Sequence, residues 1–401
     1  MKLERLRDCT PPPFYLVDGD ALRQRYRAFR DAFATEFPSL IIGYSYKTNY
    51  VPAVLRMLHR EGAFAEVVSE LEYDIATRLG VPPNKIIHNG ANKTRRTLER
   101  VVGEGAMCNL DSMREVEDVV AIAHETRRPA KIGIRINLQH PEGVGHRAHS
   151  RFGIPTSELV EAKERLLKAG VQIAGVQGHL SSRARSLEVV RHIANSLINA
   201  LDIMKLDAVD YIDVGGGFGF SPGGLDLSFP SFEEYAGTIS STLGALVQSS
   251  TLVIEPGISM VGDSIDYIAP VHCIKRIHGR NVAFIDGSVH TVKPSRHRHN
   301  LPTEVLKADF TSKDVSATED YDLVGYTCMD DDYIAIAQTL PTLDEGDLLR
   351  IRGVGAYTVV FKPQFIRGAP AIYILDDRGP QEARRAESVD DFLSTYRLGA
   401  S

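Results

Sequence analysis

Eight apolar segments of strand length recur along residues 41–257, and helix-like stretches separate nearly all of them. This repeated strand–helix alternation predicts an α/β fold, the parallel (β/α)8 barrel. Almost every segment ends in a polar residue or a glycine cluster, and the C-terminal ends of barrel strands converge on one mouth where barrel enzymes work. The segments read IIGYSYK, AFAEVVS, IIHNG, AMCNLDS, IGIRINL, IAGVQGHL, YIDVGGG and TLVIEPG.

The chain is longer than one barrel. Its 401 residues exceed the roughly 250 of an ordinary barrel, so a second domain is expected. Past Gly257 the apolar segments are β-rich, with turns rather than amphipathic helices between them, which predicts an antiparallel β domain. We predict a barrel over residues 25–260 and a β-sandwich or barrel-like domain, built from 1–24 and 261–401, that completes the active site.

Composition excludes several functional classes. The net charge of −6 argues against a general nucleic-acid or acidic-membrane binder. No apolar run approaches the roughly 18 residues of a membrane span, and the first residues contain no apolar signal core. The four cysteines are scattered without CxxC spacing, which is typical of reduced thiols rather than of disulfides or a zinc site. We expect a cytoplasmic enzyme without metal.

Two strand ends carry the first candidates. Lys47 follows a run of aromatic and apolar residues, and desolvation at a barrel mouth lowers a lysine pKa, as Schiff-base chemistry requires. A solvated surface lysine is the alternative. Gly215, Gly216 and Gly217 follow the seventh strand, where barrels often bind phosphate, and their backbone can approach a ligand closely. A loop that is tight only for packing remains possible.

Four further residues follow strands or turns. Glu255 could bind a protonated pyridine nitrogen, act as a general base, or bond only to neighbouring strands. His179 could stack on a planar cofactor, titrate, or be structural. Cys328 is a candidate proton donor or a buried inert thiol. The hydroxyl of Ser182 suits a phosphate group or a helix cap.

The chain contains, in this order, the motifs YSYKTNY, HNGANKT, SRFG, GHLSS, DVGGGFG, EPG, a C…D pair and GAYT. In these motifs and their order the chain resembles the ornithine/diaminopimelate/arginine decarboxylases, which are fold-type III pyridoxal-phosphate enzymes. The resemblance runs from about residue 13 to about 375 and implies an alanine-racemase-like barrel plus β domain. It also implies a carboxy-lyase that uses pyridoxal 5'-phosphate (PLP) and forms a homodimer with shared active sites.

The resemblance assigns roles to matching positions. Lys47 resembles the lysine that bonds PLP, with Glu66 as its acidic neighbour, while His179 resembles the histidine on the cofactor ring and Glu255 the carboxylate at the pyridine nitrogen. Cys328 resembles the cysteine that protonates Cα across the dimer, together with Asp332. Arg135 matches an arginine beneath the site, and the phosphate grip matches Gly215, Gly216, Gly217, Ser182 and Tyr357.

Three departures concern the phosphate and the substrate. The family motif EPGR is altered, because Ile258 replaces the arginine that helps to hold phosphate. Met329 follows the cysteine where the family has an acidic residue that binds a distal amine. Gln177 and Ser181 replace the histidine and glycine of the family pattern GLHxHxGS.

A basic stretch, KPSRHRHNLP, lies where the family recognises the far end of the substrate. Its Lys293, Arg296 and His297 suit an anionic distal group, although a solvated basic loop is an alternative and a metal site at the histidines is a weaker one. The main prediction is therefore an α-decarboxylase for a non-cationic, carboxylated amino acid, such as the citryl-linked diamino acids of siderophore pathways. The alternatives are a diaminopimelate or ornithine/lysine-type decarboxylase, a racemase, and a catalytically silent binding protein.

Overall fold

The structure, a computed structural model, describes residues 3–9, 11–128, 130–140, 150–180, 185–219, 229–295, 299–361 and 365–397. They form two compact units. One unit comprises Arg25 to Gly219 and the described residues 229–260. The other comprises the residues up to Gln24 and those from Val261 onward. That the units serve as a cofactor-binding domain and a domain that completes the site stays a prediction. A 3-10 turn over Leu3–Leu6 precedes β1 (Phe14–Asp18) and α1 (Gly19–Ala34).

The unit that begins at Arg25 is a closed parallel barrel, which confirms the predicted fold. Each barrel strand pairs in parallel with its sequence neighbours, and the last pairs with the first, for example Ile42 with Ile254. The barrel strands are β2 (Leu40–Ser45), β3 (Phe64–Val67), β4 (Ile86–His88), β5 (Met107–Leu110), β6 (Ala130–Arg135), β7 (Val171–Gln177), β8 (Tyr211–Asp213) and β9 (Thr251–Ile254).

Helices alternate with these strands because capping residues start them and apolar faces bury them against the barrel. At five of these helices the hydroxyl side chain of the N-cap accepts a hydrogen bond from a backbone N–H three residues on, namely at Ser69, Thr94, Ser112, Ser186 and Ser231. The helices are α2 (Pro52–Arg60), α3 (Glu70–Arg78), α4 (Arg95–Glu104), α5 (Met113–Thr126), α6 (Leu159–Lys168), α7 (Leu187–Met204), α8 (Phe232–Leu243), α9 (Leu246–Ser249) and α10 (Ile258–Val261).

The unit that contains β1 is built on a nine-stranded sheet. Its elements besides β1 are β10 (Ile265–Ile277), β11 (Arg280–Ile285), α11 (Val289–Val292), β12 (Thr303–Leu306), β13 (Thr318–Val324), β14 (Tyr333–Pro341), β15 (Leu348–Ile351), β16 (Ala371–Asp376), β17 (Gly379–Arg384) and α12 (Val389–Leu393). Seven strands are hydrogen-bonded in the order β14-β13-β11-β10-β1-β16-β17, while β15 also pairs with β10, and β12 pairs with β15.

One feature of this sheet differs from the sequence prediction. The sheet is mixed, because β1 pairs in parallel with β16 and β11 pairs in parallel with β13. These partners are distant in sequence, so no hairpin forces them to be antiparallel. Strand β17 is rich in polar side chains, which suit its place at the sheet edge. No helix in the described parts of the chain is long and apolar enough to cross a membrane.

Candidate active site

Lys47 lies just beyond β2, in a short 3-10 turn over Tyr46–Thr48. Its Nζ donates to Oε2 of Glu66 at 2.5 Å, and the hydroxyl of Ser45 donates to the same oxygen at 2.6 Å. The Lys47 side chain is 36% exposed, whereas that of Glu66 is 1% exposed. An amine that solvent can reach is thus held by a buried carboxylate, an arrangement suited to covalent bonding of a carbonyl group.

Glu255 lies one residue after β9 and is buried. One of its carboxyl oxygens accepts a hydrogen bond from the side-chain amide of Asn89. Burial, followed by the nearby carboxyl groups of Asp213 and Glu66, raises the pKa of Glu255 well above its ordinary value, while Lys47 opposes the shift. A carboxyl group in this setting readily holds a proton or binds a protonated ring nitrogen.

The glycine run folds tightly against these two groups. Gly215 has φ +68°, and a Cβ there would overlap His179. A Cβ on Gly216 would overlap the backbone oxygen of Glu255. Beyond the glycines, the buried ring of Phe218 packs edge-on against Tyr235 with 5.2 Å between centroids, which anchors the loop. Only glycine permits the backbone to pass this close to Glu255 and His179.

His179 is neutral in this environment. Burial, then the cations Lys47 and Arg135, lowers its pKa to about 3. Its Nδ1 lies 3.2 Å from the backbone nitrogen of Gly216 and accepts that N–H, so the ring proton is on Nε2. A flat uncharged imidazole can stack on an aromatic cofactor without repelling a cationic ring.

Arg135 belongs to a buried polar network below the barrel mouth. Its guanidinium lies 3.2 Å from Asp111 Oδ1 and 3.3 Å from the backbone oxygen of Asn89, and it covers the ring of Phe152 at 4.6 Å. Burial, opposed by Arg135, raises the pKa of Asp111 to about 6. The predicted substrate role of Arg135 stays a prediction, since the contacts it makes here are structural.

Several residues of this network were assigned no role from the sequence. Asn89, Asp111 and Asp213 all lie at strand ends, which was the available signal, but their partners are on other strands. Nearby, the buried amine of Lys93 donates to the Gly90 carbonyl at 2.6 Å and pairs with Glu115, fixing the loop after β4.

The predicted site residues of the unit that contains β1 differ in their exposure. Cys328 is exposed in the loop after β13, whereas Asp332 is buried and accepts hydrogen bonds from the N–H groups of Val289 and Thr327 and from the Thr327 hydroxyl. Asp332 therefore shapes the Cys328 loop, and its role in substrate binding stays a prediction. Tyr357 is half-buried with a left-handed φ of +54°, a strained conformation often found at functional sites.

Lys293 is a buried cation. It is 4% exposed, and Nζ donates to the backbone oxygen of His299 at 3.2 Å. No salt bridge joins it to a carboxylate among the described residues, and burial lowers its pKa to about 8. Three predicted residues, Ser182, Arg296 and His297, lie outside the described parts of the chain.

The residues at the barrel mouth fit PLP. Lys47 could supply the amine, His179 the flat ring, Glu255 the acid and the glycine run a backbone able to bind phosphate, and these roles stay predictions. Two buried side-chain oxygens of the barrel, Glu66 Oε1 and Gln177 Oε1, have no hydrogen-bond partner within the described structure, so a ligand with donors would satisfy them.

Comparison with known proteins agrees with this geometry. The chain is 29% identical to diaminopimelate decarboxylase of Archaeoglobus fulgidus, over 97% of this chain and 94% of the relative. It is 28% identical to that of Pseudomonas aeruginosa, over 99% and 95%. The crystal structure of Helicobacter pylori diaminopimelate decarboxylase complexed with L-lysine superposes with a TM-score of 0.86 at 25% identity, covering 98% of each chain.

A family model described as the pyridoxal-binding domain of pyridoxal-dependent decarboxylases matches residues 20–262. This match spans more than half of the chain. The protein therefore belongs to the family of pyridoxal-dependent decarboxylases, which confirms the predicted cofactor, PLP, and the predicted enzyme class, a carboxy-lyase.

Proposed function

We propose that the protein removes the α-carboxyl group of an amino acid of the diaminopimelate type. The observation that carries the proposal is the pairing of Lys47 with buried Glu66 at the same barrel mouth as Glu255, His179 and the glycine run. The curated relatives quoted above are named diaminopimelate decarboxylases. They favour this alternative over the citryl-linked substrate of the main sequence prediction, which none of them supports.

Bound PLP would supply an electron sink for the electron pair that remains on Cα when carbon dioxide leaves. The chain's own residues would hold and orient it. Lys47 would bond the carbonyl carbon of the cofactor, whose oxygen would leave as water, and Glu66, 2.5 Å from Nζ, would accept the proton that this amine must lose. Glu255 would bind the ring nitrogen and His179 would cover one ring face, while the amides of Gly215–Gly217 would bind phosphate in place of the family arginine absent at Ile258.

We further propose a homodimer in which Cys328 of one protomer returns a proton to Cα at the barrel mouth of the other. Three large apolar side chains on or near the Cys328 loop are exposed, namely Met329 (37%), Tyr333 (38%) and Ile336 (55%). Phe361, Phe365 and Ile366 of the same unit are also exposed. Exposed apolar groups in this number mark an interaction surface, and a second copy of the chain would bury them.

A second candidate substrate is an amino acid whose distal group carries a carboxylate but no ammonium. Met329 stands where the family places a carboxylate, and its sulfur lies 3.3 Å from Nε2 of His290. A thioether cannot pair with an ammonium ion. Lys293, buried without a carboxylate salt-bridge partner in the described structure, would instead gain a counter-ion from an anionic distal group.

The test is to incubate the PLP-loaded protein in deuterated water with a panel of α-amino acids and to identify products by mass spectrometry. The panel contains diaminopimelate, ornithine, lysine, 2-aminopimelate and citryl-linked diamino acids. Loss of carbon dioxide with one deuterium gained at Cα supports the decarboxylase. Deuterium exchange with the carboxylate retained would indicate a racemase, and no reaction with any compound would favour a silent homologue.

The pH dependence of kcat/KM tests the role of Lys293. Its pKa is lowered to about 8, so the amine is charged below that pH and loses its proton above it. If the charge binds a distal carboxylate, kcat/KM for diaminopimelate falls about tenfold for each pH unit above about 8. Lys293→Arg, which stays charged throughout, should remove the descending limb that belongs to Lys293. If kcat/KM of this variant declines above the same pH as in the unmodified protein, the assignment to Lys293 is contradicted.

Met329→Glu tests which distal group the site accepts. The new carboxylate would form a charge-assisted hydrogen bond with a distal ammonium, which raises kcat/KM for diaminopimelate relative to 2-aminopimelate by about 10- to 100-fold. Met329→Gln is the matched control, because it has a similar length and no charge. An equal substrate ratio in the glutamate and glutamine variants would show that residue 329 does not contact the distal group.

A further inference from the structure

A chain of buried polar side chains crosses the barrel interior and ends on Glu255. The hydroxyl of Tyr211 donates to Asn109 Oδ1 at 2.7 Å, and Asn109 Nδ2 donates to Asn89 Oδ1 at 2.7 Å. Asn89 then donates to Oε1 of Glu255. All three donor residues are at most 5% exposed, so water does not compete for these bonds. Every donor points the same way, which fixes Oε1 of Glu255 as an acceptor.

The barrel makes room for this chain at two glycines. A Cβ on Gly133 of β6 would overlap the Asn109 oxygen and the Tyr211 hydroxyl. A Cβ on Gly175 of β7 would overlap the Tyr211 ring. Barrel interiors are normally filled by branched apolar side chains. Here two glycines face one tyrosine, so the barrel interior accommodates this series of hydrogen-bonded polar side chains at the expense of apolar ones.

Asp213, at the end of β8, lies beside Glu255 because it pairs with Val253 of β9, two residues before Glu255, and because the N–H of Glu255 donates to the Gly215 carbonyl at 2.8 Å. The two carboxyl groups interact, since each shifts the pKa of the other. Oδ1 of Asp213 accepts the backbone N–H of Gly215 at 2.8 Å. Its Oδ2 is buried and accepts no well-formed hydrogen bond among the described residues, although the side-chain amide of Asn89 lies near the carboxyl group and lowers its pKa. Two buried carboxylates side by side repel each other, so one must be protonated, and a proton between them also gives Oδ2 its missing partner.

We propose that Asp213 is a positioning residue that shares one proton with Glu255. The role assigned to Glu255 at the ring nitrogen rests on the proposed function. When Glu255 binds a protonated ring nitrogen, the shared proton stays on Asp213, which then donates a hydrogen bond to an ionised Glu255. Asn89 donates to Oε1, so the carboxylate is held by two donors and keeps a fixed orientation toward the cofactor.

The surrounding charges are consistent with a shared proton. Glu66 on β3 faces both carboxyl groups and raises the pKa of each, whereas Lys47 lowers that of Glu255. Burial is the largest cause of the rise in both pKa values. Tyr211 has a pKa raised well above its ordinary value by burial and by Asp213, so its hydroxyl remains a donor.

The test is an infrared pH titration of the cofactor-free protein, following the carbonyl stretch of protonated carboxylic acids. We expect this band to persist at neutral pH in the unmodified protein. In Asp213→Asn the pH at which half of this band is lost should fall by at least about one unit, which is a tenfold decrease in the proton affinity of Glu255. The reason is that the new amide donates a hydrogen bond to Glu255 and does not repel its charge. The matched control is Asp210→Asn, which removes an exposed carboxyl group from the same segment and should leave the midpoint unchanged.

A second variant covers failure of Asp213→Asn to fold. Glu255→Gln removes the other carboxyl group, and Asp213 should then lose its proton at a lower pH than it does in the unmodified protein. Absence of the band at neutral pH in the unmodified protein, or an unchanged midpoint in a folded variant, overturns the proposal. Neither result depends on PLP or substrate, so the outcome is separate from that of the decarboxylase assay.

Discussion

Lys47→Ala is expected to abolish decarboxylation, lowering kcat/KM by at least about 10³-fold, because it removes both the covalent attachment of the cofactor and its placement. Borohydride treatment of the PLP-loaded protein should add the mass of reduced cofactor to the unmodified chain and none to the variant. Mass spectrometry of the peptide that contains residue 47 checks this directly. Folding should be little affected, since the side chain is 36% exposed.

The matched control for this prediction is Lys131→Ala, which removes an exposed lysine on β6 of the same barrel. It should retain full activity and the borohydride adduct. An adduct of normal yield in Lys47→Ala would place the attachment at another lysine. An unmodified protein that forms no adduct and decarboxylates nothing would instead support the silent-homologue alternative.

The barrel and its mouth could be predicted because their signals are local. Each strand is a short apolar run, and each ends in a residue such as Lys47 or Glu255 that parallel topology must deliver to one edge. The N-cap serines that separate strands from helices are equally local. The tight backbone at the glycine run could be predicted for the same reason, since a run of glycines after a strand indicates a close backbone approach. Its role in phosphate binding stays a prediction.

The remainder depends on pairings between residues far apart in sequence. Nothing in the segment of β1 indicates that it will lie between β10 and β16, and the polar composition of β17 hides its role as an edge strand. The same holds for the polar chain to Glu255. Asn109 and Tyr211 are 102 residues apart, and only the closed barrel brings them within 2.7 Å.

Cys328→Ala is expected to lower kcat by about 10²- to 10⁴-fold, the usual effect of losing a positioned proton donor. The borohydride adduct at residue 47 should remain, because Cys328 lies in the other unit and takes no part in cofactor attachment. Cys273→Ala is the matched control, since it removes a partly buried thiol of the same unit and should retain activity. A fully active Cys328→Ala variant would show that another group supplies the proton.

Mixing the two inactive variants distinguishes a shared site from one built within a single chain. If Cys328 serves the partner's barrel, a dimer of one Lys47→Ala chain and one Cys328→Ala chain contains one intact site. Random reassortment makes half of the dimers mixed, so about a quarter of the unmodified activity should return after co-refolding. If both residues act within the same chain, neither site of a mixed dimer is intact and no activity returns. Recovery in the mixture therefore requires Cys328 to act across the dimer, because no single chain in it carries both residues.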